Sequence, residues 1–276
     1  MRKSIVSNVL FLMAVGLPIV VAGTAVAAEI DTTTGLPARE TETVVLPQLD
    51  DANVLWDITH GVYLNYQPSG NFSNLASLLG SAGYMVTVTD QGVDNIDLSP
   101  YCVLVLCIGS AYNFPYTASE VAAIQTFVAA GGGLLVLADN PNTPSGPNLN
   151  PVTQAFGTTV AVSYPSPNDL YFTDFAIHDI FAGINQLYFR ASGALSGAAP
   201  SVEVAWTDNA ETMITVVEPN QVVVTADMNF CDNSYIDIAD NQTFIMNVFD
   251  WLCAGPVGAE ESTWSDVKQL FRDATR

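Results

Sequence analysis

Between Asn53 and Cys253 short apolar runs alternate with amphipathic stretches that end in glycine, and that alternation leaves few folds open. Asn53 to Ile58 reads as a strand, and Phe72 to Ala82 as a helix with Leu75, Leu78 and Leu79 on one face. Gly83 caps that helix and Tyr84 to Thr89 is a second strand. Tyr101 to Ile108 is apolar throughout, as expected of a strand covered on both faces. Thr117, with Glu120 three residues on, opens a helix to Ala130 that turns Val121, Ile124, Phe127 and Val128 to the sheet. Gly131-Gly132-Gly133 ends it, and Leu134 to Ala138 is the fourth strand. A chain built this way forms an α/β layer structure around a parallel sheet.

The second half carries more β signals. Thr158 to Val162, Gln186 to Arg190, Val202 to Thr207, Met213 to Val217 and Gln221 to Ala226 read as strands, with Glu218-Pro219-Asn220 as a hairpin turn. Asp240 to Cys253 closes the body as a helix that buries Phe244, Ile245, Val248 and Phe249. Residues 53–254 make one domain. Before it, Met1 to Ala28 has the pattern of a secretory signal: Arg2 and Lys3, an apolar run from Val9 to Ala22, and Ala25-Val26-Ala27 as a cleavage site; an uncleaved anchor is the rival reading. Export implies a secreted, periplasmic or cell-surface protein. Residues 29–52 are a polar lead-in, and after the Gly255-Pro256 hinge residues 255–276 hold a short amphipathic helix with Trp264 and three of the chain's cations, either docked on the body or read by a sorting partner.

Charge narrows the partners. There are 28 acidic residues against 7 Lys and Arg, a net charge of −21, and between Arg39 and Lys268 the single cation is Arg190. Such a body repels nucleic-acid phosphates and anionic lipid headgroups, so nucleic acid and membrane binding through the body are excluded as functions. No Gly-rich phosphate loop follows a strand, and no Gly-x-Ser-x-Gly elbow is present. Four cysteines stand at 102, 107, 231 and 253 without zinc-ligand spacing. Cys102 and Cys107 face opposite sides of one strand. Two readings stay open: a Cys231–Cys253 disulfide, or four buried thiols.

Several segments together resemble the class I glutamine amidotransferase-like superfamily. They are Asp57-Ile-Thr-His60-Gly61 after the first strand, Leu98-Ser-Pro-Tyr101, Thr117-Ala-Ser-Glu120, Phe127 to Leu137, His178-Asp-Ile-Phe-Ala-Gly183, and Val222 to Phe230 before the final helix. The similarity is greatest to its non-catalytic branch, with gliding-motility and intraflagellar-transport modules, and to trehalose-utilisation proteins. It implies a flavodoxin-like three-layer αβα sandwich with a mostly parallel sheet and extra hairpin strands. The enzymes of that superfamily carry a nucleophilic Cys in a Gly-x-Cys-x-Gly turn after a strand. In this chain the comparable turn, Leu135 to Asn140, has no Cys, and Cys107 lacks the cationic neighbour that would ionise it.

Ligands of open α/β sheets gather beyond the carboxyl ends of the strands. Those ends supply Asp57, Thr59 and His60, then Ser110 and Tyr112, then Asp139 and Asn140, and last Asp227, Asn229 and Asp232. If they converge, they suit a polyol flanked by Tyr63, Tyr112 or Phe114, or a weakly held divalent cation, with no other cofactor expected. The leading expectation is a non-catalytic module that binds a glycan or a protein partner. The alternatives are a carbohydrate hydrolase or lyase using Asp57, His60 and Asp227, and a structural envelope component. Each residue also has a plainer role: Asp57, Asp139 and Asp227 as acceptors for loop N–H groups, His60 as a loop anchor, and His178 as a cap.

Overall fold

The computed structural model describes residues 52–165 and 167–254, all within one compact unit that begins at Leu49. The expected signal, the polar lead-in as far as Asp51 and the segment 255–276 lie outside the described residues.

The first half is the expected alternation: β1 (Asn53–Asp57), α1 (Ser73–Ser81), β2 (Met85–Thr89), β3 (Val103–Cys107), α2 (Ala118–Ala129) and β4 (Gly133–Leu137). All five residues of β3 and of β4 are buried, which is why both read as unbroken apolar runs. Thr117 and Glu120 form the expected reciprocal cap of α2. There follow α3 (Ser145–Thr153), β5 (Thr158–Thr159), β6 (Asp169–Phe172), β7 (Asp174–Phe175), β8 (Leu187–Arg190), β9 (Ser196–Gly197), β10 (Val202–Trp206), β11 (Thr212–Val217), β12 (Val222–Thr225) and α4 (Asn241–Cys253).

The main sheet has the order β2-β1-β3-β4-β12-β11-β10-β7. Strands β2, β1, β3, β4 and β12 are parallel, and β11, β10 and β7 continue antiparallel through the hairpin at Glu218–Gln221. The β1-to-β2 and β3-to-β4 crossovers run in opposite directions across the sheet. Because such crossovers are right-handed, α1 and α2 fall on opposite faces, giving the three-layer αβα arrangement.

Three expectations are corrected. α3 was not expected, since Pro147 and Pro151 interrupt its pattern; Pro147 sits in the first turn, where no N–H is needed, and burial of Asn148, Leu149 and Val152 holds the remainder. The strand at Thr158 to Val162 shrinks to two residues because Ala161 turns the backbone to φ 56°. The disulfide is Cys102–Cys253, not Cys231–Cys253. α4 starts beside the carboxyl ends of the strands, where Asn241 bonds Tyr188 and Phe230, and its 13 residues carry Cys253 about 20 Å away to the start of β3. Cys231 stays behind at the opposite end of the sheet, buried with a free thiol. Gly133 permits this docking, since a Cβ there would lie 2.6 Å from Leu252 O.

Candidate functional site

The strand order reverses between β1 and β3, and the crevice beyond their carboxyl ends is where a ligand of such a sheet is expected. In this protein it is filled. Ser110 N–H donates to His60 O at 3.0 Å, and a Cβ on Gly61, whose φ is +81°, would lie 2.2 Å from Ser110 Oγ. The His60 ring is buried, 4.0 Å from the Tyr116 ring, with Nδ1 2.9 Å from Phe114 O and Nε2 3.1 Å from Glu120 Oε1. A backbone carbonyl only accepts, so Nδ1 donates to Phe114 O and Nε2 is turned to Glu120. The other Glu120 oxygen accepts from Thr117 N–H and O–H. Asp57 accepts from Thr59 N–H at 2.8 Å and from Tyr116 O–H at 2.7 Å. Asp57 and His60 thus share one buried network that ties the 110–117 loop to β1. Tyr116 and the inward half of Glu120 went unread in the sequence, because Glu120 already had a complete explanation as a cap.

A second group forms beyond β4 and β12. Asp139 Oδ1 accepts from the backbone and side-chain N–H of Asn140 at 2.7 and 2.9 Å. Burial nevertheless pushes its carboxyl up to about 7. Asp227 accepts from Arg190 N–H and Asn229 N–H, at 2.7 and 2.8 Å, yet burial first and the Asp139 charge second hold it well above the usual carboxylate range. Asp232, raised by burial, accepts from Ser234 and Tyr235 N–H. Tyr66 is raised by burial and by Asp232, Asp139 and Asp227, and Tyr63 by burial, Asp139 and Tyr112. Tyr112, exposed, donates to Asn142 O at 2.7 Å. Tyr63 and Tyr66 therefore lie within electrostatic reach of these carboxyls, and Tyr112 within reach of Tyr63. The one cation among the described residues, the Arg190 guanidinium, pairs with Asp169.

Of the residues expected at one rim, the structure brings Tyr112, Asp139 and Asp227 into this second group and Asp57 and His60 into the first. Ser110 touches the first through its backbone. Asp232 and Asp240 are acceptors for loop N–H groups, Asp240 for those of Asn185 and Gln186. His178 accepts from Ile180 N–H, the capping role, with Nε2 3.3 Å from Glu218 Oε1. Among the described residues no three His, Cys, Asp or Glu side chains are grouped to hold a metal ion. The turn after β4 presents Ala138 and Asp139 and no cysteine. Burial pushes the Cys107 thiol up to about 12 and Cys231 well above its usual value, which disfavours both thiolates.

No curated protein matches this chain. Among solved structures, the mmIFT52 N-terminal domain superposes with a TM-score of 0.61 at 16% identity, over 74% of this chain and 99% of that one. The cytoplasmic protein STM1381 from Salmonella typhimurium LT2 does so with a TM-score of 0.53 at 16% identity, over 72% and 99%. A glutamine amidotransferase from Thermotoga maritima overlaps 64% of this chain and 75% of its own, at 12% identity and a TM-score of 0.47. The likeness to the first two of these structures is one of fold. With a domain of unknown function, DUF4350, matching residues 65–249, the chain belongs to the DUF4350 family.

Proposed function

We propose that this protein is an exported, non-catalytic amidotransferase-like module that binds a polyhydroxylated ligand, a glycan, at the carboxyl ends of β4 and β12. One observation carries the reading: Tyr63 and Tyr66, half-buried, lie within electrostatic reach of carboxyls that burial raises, the exposed Tyr112 lies within reach of Tyr63, and the one cation among the described residues pairs elsewhere, with Asp169. Aromatic faces pack on sugar C–H surfaces, and carboxyls accept from hydroxyls, donating as well when protonated. The filled β1–β3 crevice and the thiol-free turn after β4 support the non-catalytic half. Export is supported by the N-terminal signal pattern and by the Cys102–Cys253 cross-link, of a kind that persists in oxidising compartments.

The test is titration of the full chain with a panel of neutral oligosaccharides. Binding that weakens about tenfold in Tyr112→Ala and in Tyr63→Ala, with unfolding temperature unchanged, supports the reading; each anchor then contributes about 1.4 kcal/mol. Absence of binding across the panel removes the glycan. Release of ammonia from glutamine above background removes the non-catalytic part.

A further inference from the structure

Two free thiols lie against one methionine beneath the rim, and the glycan reading uses none of the three residues. Cys107 ends β3, while Met228 and Cys231 lie on the turn that follows β12, with only β4 between those strands. Cys107 Sγ is 3.6 Å from Met228 Sδ. Cys231 Sγ is 3.4 Å from Met228 O, and ionising Cys107 raises Cys231, so the two thiols lie within electrostatic reach of each other. All three residues are buried: Cys231 is 0%, Met228 1% and Cys107 7% exposed.

One methionine receives both thiols, Cys107 at its thioether and Cys231 at its carbonyl, and among the described residues no base or cation stands by to make either thiol reactive. Sulfur ligands of this kind select soft, low-coordinate cations over calcium or magnesium. Three sulfurs around one metal at about 2.3 Å stand roughly 4 Å apart, so the observed 3.6 Å pair needs an adjustment of only a few tenths of an ångström. We infer that Cys107, Met228 and Cys231 form a binding site for a soft monovalent cation of the copper(I) class. Binding forms two thiolate–metal bonds and one thioether–metal bond. The two S–H bonds break, both protons pass to solvent, and no electron changes hands. Affinity therefore rises with pH. Asp139 lies within electrostatic reach of Cys107, and Asp227 and Asp232 within reach of Cys231, and they oppose thiolates that have no metal.

The probe is copper(I), delivered anaerobically from a competing chelator to the full chain with its disulfide intact. One ion per chain, an ultraviolet thiolate-to-metal absorption and two protons released per ion are the expected results. Cys107→Ser and Cys231→Ser should each weaken binding at least about tenfold, and Met228→Leu, which preserves volume, about tenfold with its unfolding temperature kept. The Met228→Leu arm decides the matter if the Cys variants fail to fold. A chain that shows two free thiols on denaturation but takes no copper(I) when native overturns the site, as does unchanged affinity in Met228→Leu. Glycan titration of these variants is a separate readout, so loss of the sulfur site and loss of the glycan reading are distinguishable.

Discussion

The Asp139 carboxyl is 3% exposed and within electrostatic reach of Asp227, and burial pushes it up to about 7, above the ordinary carboxylate value near 4. A raised acid binds its proton more tightly in the folded chain, so its contribution is full below about pH 4 and is lost as pH rises through about 7. The single-group limit is about 4 kcal/mol. Urea unfolding at a series of pH values should show stability falling over that window, and Asp139→Asn, which still accepts from Asn140, should show a shallower slope; an equal slope would mean that Asp139 is ionised in the folded state. His60 makes the opposite case, a ring whose two nitrogens are both engaged. Removing it as His60→Ala strands Glu120 in the interior and should cost about 3 kcal/mol in the same measurement, while Glu120→Gln, which can still accept, should cost about 1 kcal/mol.

At the scale of elements, legibility followed apolar periodicity. β3 and β4 were plain in the sequence because both faces are covered, so every residue had to be apolar. β6, β7 and β9 were not, since two to four residues cannot display a period, and α3 was hidden by prolines whose missing N–H groups matter little in its context. Asp139 and Asp227 were legible from their places at strand ends. Tyr63 and Tyr112 were named beside them, whereas Tyr66 was not, because what brings it within reach of the carboxyls is the meeting of loops from different strands. The disulfide was misread for the same reason: which end of the sheet a cysteine reaches depends on the direction of α4. Gly133→Ala drives a methyl into Leu252 O and should lower stability by about 1–3 kcal/mol, read as a shift in the urea midpoint. Cys253→Ala should cost about 2–4 kcal/mol, whereas Cys231→Ala should leave the cross-link intact by mass spectrometry.

The whole molecule carries −21 charges, and its described part holds one Arg, already paired with Asp169. Self-repulsion of that kind is relieved by salt. Raising sodium chloride from about 0.01 M to about 1 M shortens the screening length from about 30 Å to about 3 Å, so the unfolding temperature should rise across that range. A fall would show that attractive pairs, not repulsion, dominate the surface. The cross-link between Cys102 and Cys253 also sets how the body carries a pull. Tension applied to the chain beyond Ala254 cannot peel α4 away turn by turn, because the S–S bond hands the load to the residue that precedes β3. That strand is held by β1 on one side and β4 on the other, both parallel to it, so the force meets two ladders in shear at once. A domain wired in this way resists being drawn out by its carboxyl-terminal side, and reduction of one bond would turn the same helix into the first part to yield.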